Sequence, residues 1–360
     1  MTSSGLPDLV RTTAELVDLD SVSGDEAALV DDLARRLEGL PLEVERVGDN
    51  LVARTRAGRS RRLILAGHTD TVPANGNRGA RVEGDVVWGL GAADMKGGLA
   101  VMLELARAFP DPALDVTYVF YAGEEIAAEH NGLGHLLRDR PDLLEGDVAI
   151  LGEPTAGELE AGCQGTLRLE LTLTGVRAHT ARPWMGINAV HRLADVLDAV
   201  AGFGERRPVL DGCEFREALQ AVRVEGGVAG NVVPDRATLV LNRRFAPDRT
   251  ADEAEAEVRA LLSPWLGPGD TLEVVDAAPA APPSLDDPLL RSLIDRHDLT
   301  VRAKLGWTDV ARFAAIGVPA CNIGPGDPTL AHAADERVDR ASLERVYLAL
   351  ADVLQVGLGS

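Results

Sequence analysis

The strongest constraint on the fold is a set of short apolar, β-forming segments that each end in a histidine or an acidic residue. The first is Leu63–Ala66, which is followed by Gly67-His68-Thr69-Asp70. Residues i and i+2 of an extended chain project from the same face, so His68 and Asp70 would stand side by side. Taken alone, His-x-Asp is more typical of a core histidine beside a turn aspartate. In open α/β sheets, however, ligands bind at the carboxyl ends of the strands. The later segments favour a ligand-binding role for His68 and Asp70.

Two further strand candidates end in acidic residues. Val116–Tyr121 leads into Ala122-Gly123-Glu124-Glu125, and Asp147–Leu151 leads into Gly152-Glu153. Adjacent glutamates on a helix surface are usually only solvated, but a turn that follows a strand can aim both inward. In that position one carboxylate can bind a metal ion while the other acts as a general base. Three strand ends therefore supply an imidazole and several carboxylates.

Two loops supply the remaining candidate ligands. The glycine-rich segment Trp88–Gly98 precedes a predicted helix at Leu99–Ala108. It lacks the Gly-x-Gly-x-x-Gly and Gly-Lys-Ser/Thr patterns of phosphate-binding loops. We interpret it as a tight turn that directs Asp94 into a pocket, where the carboxylate could bridge two cations. The segment 324–336 contributes a second imidazole, His332.

The order of predicted elements indicates two domains, because 360 residues exceed the usual size of one core. Residues 1–165 and 278–360 alternate helices and strands and predict an α/β catalytic domain. Residues 166–277 follow the order β-α-β-β-α-β, which is the ferredoxin-like plan. The proline-rich segment Ala277–Pro283 is the expected return linker. An inserted domain of this kind is a natural dimerisation module or lid, so we expect a homodimer.

Charge and composition exclude several classes of partner. The chain has 36 basic and 57 acidic residues, and its net charge of −21 repels nucleic acid and anionic lipid. No apolar run reaches membrane-spanning length, and the N-terminus lacks the features of a signal peptide. Three widely spaced cysteines favour a reducing compartment. We therefore expect a cytoplasmic protein with no nucleic-acid or membrane partner, in which an anionic substrate needs a local cluster of arginines.

The complete set of motifs resembles the di-zinc M20 metallopeptidase and deacylase family. In chain order the motifs are His68-x-Asp70-x-Val-Pro, Gly89-x-Gly91-x-x-Asp94-Met-Lys-Gly-Gly, Gly123-Glu124-Glu125, Gly152-Glu153-Pro-Thr, and Gly324-Pro-Gly followed by Ala331-His332-x-x-x-Glu336. The resemblance covers essentially the whole chain. It implies a zinc-peptidase-like three-layer α/β/α catalytic domain with an inserted ferredoxin-like α+β dimerisation domain.

Carried over residue by residue, the resemblance implies two Zn²⁺ ions, for which Co²⁺ could substitute. His68 and Glu153 would bind one ion and Glu125 and His332 the other, with Asp94 bridging the two. Asp70 would orient His68, a role that also has an independent rationale in the control of the ligand tautomer.

The resemblance also assigns residues to catalysis and to substrate binding. Glu124 would be the general base, and His179 of the inserted domain would donate a hydrogen bond to the oxyanion in the site of the partner subunit. Asn231 and Arg244 match positions that bind substrate. Two weaker candidates for contact with the substrate are Arg182, close after His179, and Thr308, in a loop whose family counterpart approaches the substrate.

Within the family, the chain most resembles the desuccinylases that hydrolyse N-succinyl-LL-2,6-diaminopimelate to succinate and LL-2,6-diaminopimelate, a step towards lysine. This small anionic N-acylated amino acid carries three carboxylates and would require bidentate arginine contacts. Many such desuccinylases carry Gly-Arg-Arg-Gly-Ser after the Glu-Pro-Thr motif, whereas residues 162–166 here read Gly-Cys-Gln-Gly-Thr. Acetylornithine deacetylases and dipeptidases share every metal ligand and stay alternatives. The presence of Glu124 argues against a third alternative, a non-catalytic relative that only binds metal.

Overall fold

The computed structural model describes residues 6–358, which divide into two compact units. The first unit comprises the chain up to Ala161, Ser284–Arg302 and the chain from Arg312 onward, and the second comprises Gly162–Pro283 and Ala303–Ala311. The sequence predicts residues 1–165 and 278–360 to form the first domain, but residues 162–165, 278–283 and 303–311 lie with the second unit. Hydrogen bonds hold residues 303–311 there: the backbone N–H of Gln164 donates to the carbonyl of Lys304, and the Trp307 indole donates to the carbonyl of Pro279.

Helices and strands alternate along most of the chain. The α-helices within residues 6–358 are α1 (Leu9–Val17), α2 (Ala27–Leu37), α3 (Gly97–Ala108), α4 (Gly132–Asp139), α5 (Ala189–Ala201), α6 (Ala251–Leu262), α7 (Pro288–His297), α8 (Val310–Ala315) and α9 (Arg340–Val356). The strands are β1 (Glu43–Val47), β2 (Asn50–Arg54), β3 (Arg62–His68), β4 (Arg81–Glu83), β5 (Val86–Trp88), β6 (Asp115–Tyr121), β7 (Val148–Leu151), β8 (Leu159–Ala161), β9 (Gly165–Thr174), β10 (Ala178–His179), β11 (Val209–Leu210), β12 (Cys213–Glu214), β13 (Ala218–Gly226), β14 (Val232–Val233), β15 (Arg236–Phe245), β16 (Thr271–Ala278), β17 (Val301–Ala303), β18 (Ala320–Asn322) and β19 (Arg337–Asp339).

The first unit is built on an eight-stranded mixed sheet with the strand order β1-β2-β6-β3-β7-β18-β8-β17. The four central strands β6, β3, β7 and β18 run parallel, and β1, β2 and β8 pair antiparallel with their neighbours. Every residue of β6 and β7 is buried, as is every residue of β3 after its first. Parallel strands buried in this way must be covered on both faces, which agrees with the predicted α/β/α layering.

The three most buried strands deliver their following residues to one edge of the sheet. His68 at the end of β3 is in register with Tyr121 at the end of β6, and Ala66 is in register with Leu151 at the end of β7. Because these strands are parallel, the loops after all three leave the sheet on the same side. The predicted strands at 63–66, 116–121 and 147–151 are confirmed, and so is the edge that they share.

A glycine–glycine contact fixes the start of α3 against this edge. A Cβ atom added to Gly98, in the first turn of α3, would lie 2.4 Å from the carbonyl oxygen of Gly152, just after β7. No side chain is tolerated at that distance, so the helix packs directly on the end of the strand. The contact brings the turn before α3, which carries Asp94, close to Glu153.

The second unit contains an antiparallel sheet with the strand order β13-β15-β9-β16. Along the chain these strands follow the order β9-α5-β13-β15-α6-β16, which is the predicted ferredoxin-like plan. One face of the sheet is apolar, and Leu167, Leu169, Leu171 and Leu173 of β9 form a core with residues of α5 and α6. The opposite face is polar and carries the alternate residues of each strand.

Two further features bear on the class of protein. Cys163, Cys213 and Cys321 are free and buried. Within residues 6–358, none of the helices combines the length and the apolar character needed to cross a bilayer.

Candidate active site

His68, the last residue of β3, is buried, with 1% of its surface exposed. Its Nδ1 lies 2.9 Å from the carbonyl oxygen of Asp70 and 3.5 Å from the carboxylate of the same residue. Both groups are acceptors, so Nδ1 carries a proton and Nε2 is the atom that faces the site. Burial disfavours the charged ring, but the carboxylates of Asp70 and Asp94 outweigh it and raise the pKa of His68 well above its usual value. The surrounding carboxylates therefore favour a positive charge at or beside Nε2.

Asp94 stands between two histidines. Its Oδ1 lies 3.1 Å from Nε2 of His68, and its Oδ2 lies 3.6 Å from Nε2 of His332. The Asp94 side chain is largely buried, with 12% of its surface exposed. Each carboxylate oxygen faces a different imidazole, which is the arrangement that a carboxylate needs to bridge two cations.

His332 and Glu125 form the second pair of candidate ligands. Nε2 of His332 lies 2.8 Å from Oε1 of Glu125. The hydrogen bond to Glu125 raises the pKa of His332 to about 8, against partial burial and with a further contribution from Asp94. His332 has a φ of 63°, in the left-handed region that residues other than glycine rarely adopt. Such backbone conformations cluster at functional sites.

Three overlapping groups of these side chains could each hold a metal ion. Within a group, one ligand atom of each residue lies within 4.8 Å of the others. The groups are His68, Asp94 and Glu153; His68, Glu124 and Glu125; and Asp94, Glu125 and His332. The first and third share Asp94, and in the first Glu153 Oε1 lies 4.0 Å from Nε2 of His68. Imidazole nitrogen and carboxylate oxygen are donors that suit zinc and similar divalent ions.

Asp70 ties the end of β3 to the loop that follows β6. Its carboxylate accepts hydrogen bonds from the backbone N–H groups of Glu124 at 2.9 Å and Glu125 at 3.0 Å. Burial alone would raise the pKa of Asp70, but the hydrogen bond with His68 and these further donors lower it well below its usual value. Asp70 is therefore ionised and orients His68 and the two glutamates together.

Ser23 is a first site residue that sequence reasoning misses. Ser23 lies just before α2, which begins after Glu26 without a side-chain cap. The Ser23 hydroxyl instead donates to Oδ2 of Asp70 at 2.7 Å. A serine two residues after another serine gives no sequence signal for this long-range contact.

Glu336 is a second residue of this kind. It is 1% exposed, and its Oε1 accepts the backbone N–H groups of Ala93 and Asp94, both at 3.0 Å. These bonds hold the turn that presents Asp94. The available signal was the glutamate that ends the Ala-His-x-x-x-Glu motif, four residues after His332.

The predicted site residues of the inserted domain lie in the second unit, three of them on one short ribbon. His179 is exposed and pairs with Val232 where β10 meets β14. The carbonyl of Asn231 accepts the backbone N–H of Thr180 at 3.0 Å, and the N–H of Arg182 donates to the carbonyl of His179 at 2.8 Å. The structure therefore brings His179, Arg182 and Asn231 together on an exposed surface.

Arg244 and Thr308 occupy different positions in the same unit. Arg244 lies on β15 opposite Thr166 of β9 and is half-buried on the polar face of the sheet. Thr308 is 3% exposed, and its hydroxyl oxygen is covered. Of the two, Arg244 alone presents its side chain to solvent.

The sequence model of peptidase family M20/M25/M40 matches residues 64–356. The chain belongs to this family. The match confirms the family inferred from the motifs, and membership of a metallopeptidase family implies that the chain binds divalent metal ions. The clusters around His68 and His332 supply suitable donors.

Two relatives resemble this M20 protein over almost its whole length. A Mycobacterium tuberculosis protein (strain ATCC 25618 / H37Rv), named as a candidate succinyl-diaminopimelate desuccinylase DapE, is 51% identical over 333 residues, covering 92% of this chain and 93% of the relative. The succinyl-diaminopimelate desuccinylase of Corynebacterium glutamicum (strain ATCC 13032) is 44% identical over 356 residues, covering 95% of this chain and 96% of the relative.

The fold is also that of solved M20-type structures. A tripeptidase from Staphylococcus aureus subsp. aureus Mu50 superposes with a TM-score of 0.79 at 21% sequence identity, covering 97% of this chain and 98% of that chain. At this identity the likeness concerns the fold, and it confirms the predicted fold class.

Proposed function

We propose that the protein hydrolyses the amide bond of N-succinyl-LL-2,6-diaminopimelate and releases succinate and LL-2,6-diaminopimelate. The observation that carries the hydrolytic part is the pair of histidine–carboxylate clusters joined by Asp94, with Glu124 beside them. The choice of substrate is supported by the 44% identity to the Corynebacterium glutamicum desuccinylase over 96% of that protein's length.

In this proposal His68 and Glu153 would hold one Zn²⁺, Glu125 and His332 would hold the other, and Asp94 would be a ligand of both. Co²⁺ is expected to substitute, because it accepts the same nitrogen and oxygen donors. The residues fit such ions: Nε2 of His68 and Nε2 of His332 both face carboxylate oxygens, so each position favours a cation. When bound, the two ions would lower the pKa of a water molecule and polarise the carbonyl group of the scissile amide.

The side chains of the protein provide the proton transfers. Glu124 acts as the general base: its carboxylate takes a proton from the attacking water and gives it to the amine nitrogen as the C–N bond breaks. Asp70 keeps Nδ1 of His68 protonated and the ring fixed in one orientation. His179 donates a hydrogen bond to the oxygen that becomes negatively charged in the transition state.

The second unit contributes the substrate contacts in this proposal. Asn231, Arg244 and Arg182 bind polar and anionic groups of the substrate, and Thr308, whose hydroxyl is buried, is a weaker candidate for contact. Charge supports this assignment, since an anionic substrate approaching a protein of net charge −21 needs local arginines.

We further propose that the protein is a homodimer in which His179 acts in the site of the partner subunit. The outer strand β13 supports this: it forms one edge of the sheet, and Val222 and Val224 on it are 57% and 51% exposed. An exposed apolar edge strand is a template for pairing with a second chain. The proposed location is the cytoplasm, which agrees with the three free cysteines.

A panel of substrates tests the proposed function. With Zn²⁺ or Co²⁺ added, we expect the highest kcat/KM on N-succinyl-LL-2,6-diaminopimelate, ahead of N-acetylornithine and of a dipeptide. Faster turnover of N-acetylornithine would replace the proposal by a deacetylase, and faster turnover of the dipeptide by a peptidase. A metal-loaded protein without activity on any of the three would indicate a non-catalytic metal-binding protein.

A further inference from the structure

The polar face of the second unit's sheet carries two neighbouring arginines at one end. Cross-strand pairing places the residues of this end in two rows, β13 to β16: Ala218, Arg244, Thr166 and Ala278 in the first, and Gln220, Asn242, Arg168 and Asp276 in the second. Arg168 and Arg244 are therefore diagonal neighbours on adjacent strands. Diagonal neighbours lie within reach of each other when their side chains are long. We call Arg168, Arg244, Thr166 and Asn242 the arginine face.

The charges of the arginine face are not balanced. Asp276 lies 3.8 Å from Arg168 and is the single acid in the two rows. Arg244 has Ala218 and Thr166 beside it and forms no ion pair within residues 6–358, unlike Arg192 or Arg243 of the same unit. Partial burial, together with the positive charge of Arg168, lowers the pKa of Arg244. An anion held between the two guanidinium groups would relieve their repulsion.

The neighbouring polar groups extend the same chemistry. The Asn242 amide Nδ2 lies 3.4 Å from the Thr166 hydroxyl, so an amide and a hydroxyl lie between the two guanidinium groups. Guanidinium groups bind carboxylates through two parallel hydrogen bonds, and a neighbouring hydroxyl or amide can satisfy the remaining lone pairs. The arginine face therefore suits one carboxylate group better than a neutral acyl chain.

We propose that Arg168 and Arg244 together bind the terminal carboxylate of the substrate's acyl group, and that Arg168 makes the enzyme prefer a succinyl over an acetyl group. The inference rests on the proposed function and deepens it. It also accounts for the segment Gly162–Thr166, which lacks the arginines of many desuccinylases: Arg168 is two residues further along β9, on the same face as Thr166. A positive charge is thereby kept in this part of the second unit.

The first test compares two substrates that differ only in the carboxylate, N-succinyl- and N-acetyl-LL-2,6-diaminopimelate. In Arg168→Gln we expect kcat/KM for the succinyl substrate to fall about 10- to 100-fold, the scale of a lost hydrogen bond to a charged group. For the acetyl substrate we expect a change below about threefold. Equal losses on both substrates, or no loss on either, would overturn the proposal.

Arg236→Gln is the matched control. Arg236 lies on β15 like Arg244, on the same face opposite Thr174, but about 27 Å away along the strand. We expect the control to leave both substrates unchanged. The Arg168 side chain is 53% exposed, so its replacement leaves folding intact, which a thermal melt verifies.

A binding measurement separates this inference from the proposed function. If the wild-type enzyme did not hydrolyse the succinyl substrate, the proposed function would fail, but calorimetric titration with succinate would still test the arginine face. We expect Arg168→Gln to weaken succinate binding at least about fivefold and the control Arg236→Gln to leave it unchanged. Equal succinate affinity in both proteins would exclude the site.

A double variant tests whether the two arginines share one ligand. If both hold the same carboxylate, Arg168→Gln and Arg244→Gln are not additive, and the double variant loses less than the product of the single losses. Strictly multiplicative losses would show that the arginines bind different groups and would overturn the shared site.

Discussion

The candidate residues of the two units lie in opposite kinds of surroundings. In the first unit the candidate ligands His68, Asp94 and Glu153 are largely buried, and buried carboxylates such as Asp70 hold the backbone around them. In the second unit His179 and Asn231 lie exposed on a two-stranded ribbon, and Arg244 lies on the open face of a sheet. Metal ions require fixed ligand geometry, which a buried scaffold provides. A polar substrate can be recognised by exposed side chains, which become ordered when the substrate binds.

The largest expected effect comes from the first unit. Glu124→Gln should lower kcat about 10²- to 10⁴-fold, the range for a lost general base, while the protein keeps its metal. Metal is retained because Asp70 holds the backbone of Glu124 whatever the side chain is. Steady-state kinetics and elemental analysis of the purified variant measure both. Glu129→Gln, at an exposed position of the same loop, is the control.

Loss of metal in that variant would contradict the assignment. It would make Glu124 a ligand, as the group of His68, Glu124 and Glu125 allows.

The second effect tests whether the exposed ribbon takes part in chemistry. His179→Gln should lower kcat about 10²- to 10³-fold, the scale of a lost oxyanion donor. The melting temperature should change by no more than about 1 °C, because exposed positions contribute little to stability. His191→Gln, at an exposed position of α5, should change neither quantity. An unchanged kcat in His179→Gln would confine the chemistry to the first unit.

The third effect concerns the buried support of the first unit. Glu336→Ala should weaken metal binding about 10- to 100-fold, because the turn that carries Asp94 loses its anchor. Glu336→Gln keeps an oxygen that can accept the N–H groups of Ala93 and Asp94, so it should lose much less. Titration against a competing chelator measures both affinities. Equal losses in the two variants would mean that the negative charge of Glu336 matters rather than its hydrogen bonds.

The smallest expected effect concerns the stability of the second unit. The carboxylate of Asp270 has no exposed surface and accepts hydrogen bonds from Arg192 and from the backbone of Thr174 and Gly267. Burial raises the pKa of Asp270, but these bonds lower it well below its usual value. A depressed pKa stabilises the fold above the unfolded pKa of about 4, and the gain disappears as the pH falls below it.

Asp270→Asn should therefore lower the free energy of unfolding by about 1–2 kcal/mol at pH 7. The effect is no larger because Arg192 is partly exposed and solvent screens the ion pair. Urea unfolding at pH 7, at about pH 4 and at about pH 2.5 measures the difference, which should be constant above pH 4 and shrink progressively below it. A difference that does not depend on pH would show that packing, rather than the ionised carboxylate, supports this part of the second unit.

Sequence reasoning captured those parts of the molecule in which local pattern and global fold agree. Buried apolar runs locate the parallel strands, and a polar residue directly after such a run is directed to a known edge of the sheet. Several candidate ligands follow from this rule, among them His68 at the end of β3 and Glu153 just after β7. Asp94 and His332 needed the family motifs as well, because a turn sequence does not reveal where its side chain points.

The features that were missed depend on contacts between distant parts of the chain. Ser23 and Glu336 act through hydrogen bonds to Asp70 and to the turn of Asp94, and no local pattern encodes such partners. Residues 303–311 join the second unit through hydrogen bonds to segments near its start and its end, such as those with Gln164 and Pro279. Both kinds of contact are fixed by tertiary packing.

Two adjacent arginines of β15, Arg243 and Arg244, show what the sequence alone does not predict for a single residue. Arg243 is completely buried and pairs with Glu217 and Glu257, whereas Arg244 faces the opposite side. Without the family resemblance, which indicates Arg244, the sequence Asn-Arg-Arg-Phe does not distinguish the two arginines. The alternation of the strand decides between them, and only the buried partners of Arg243 explain why the core tolerates a guanidinium group.

The Asp70 carboxylate holds the main chain at positions 124 and 125, which makes these positions suitable for redesign. Hydrogen bonds to the backbone N–H groups do not depend on which side chains these two residues carry. New functional groups can therefore be installed at these two positions by mutagenesis while the frame that aims them survives. Substitutions at both positions of the loop after β6 would keep its backbone conformation. The reaction could therefore be changed there without redesigning the rest of the fold.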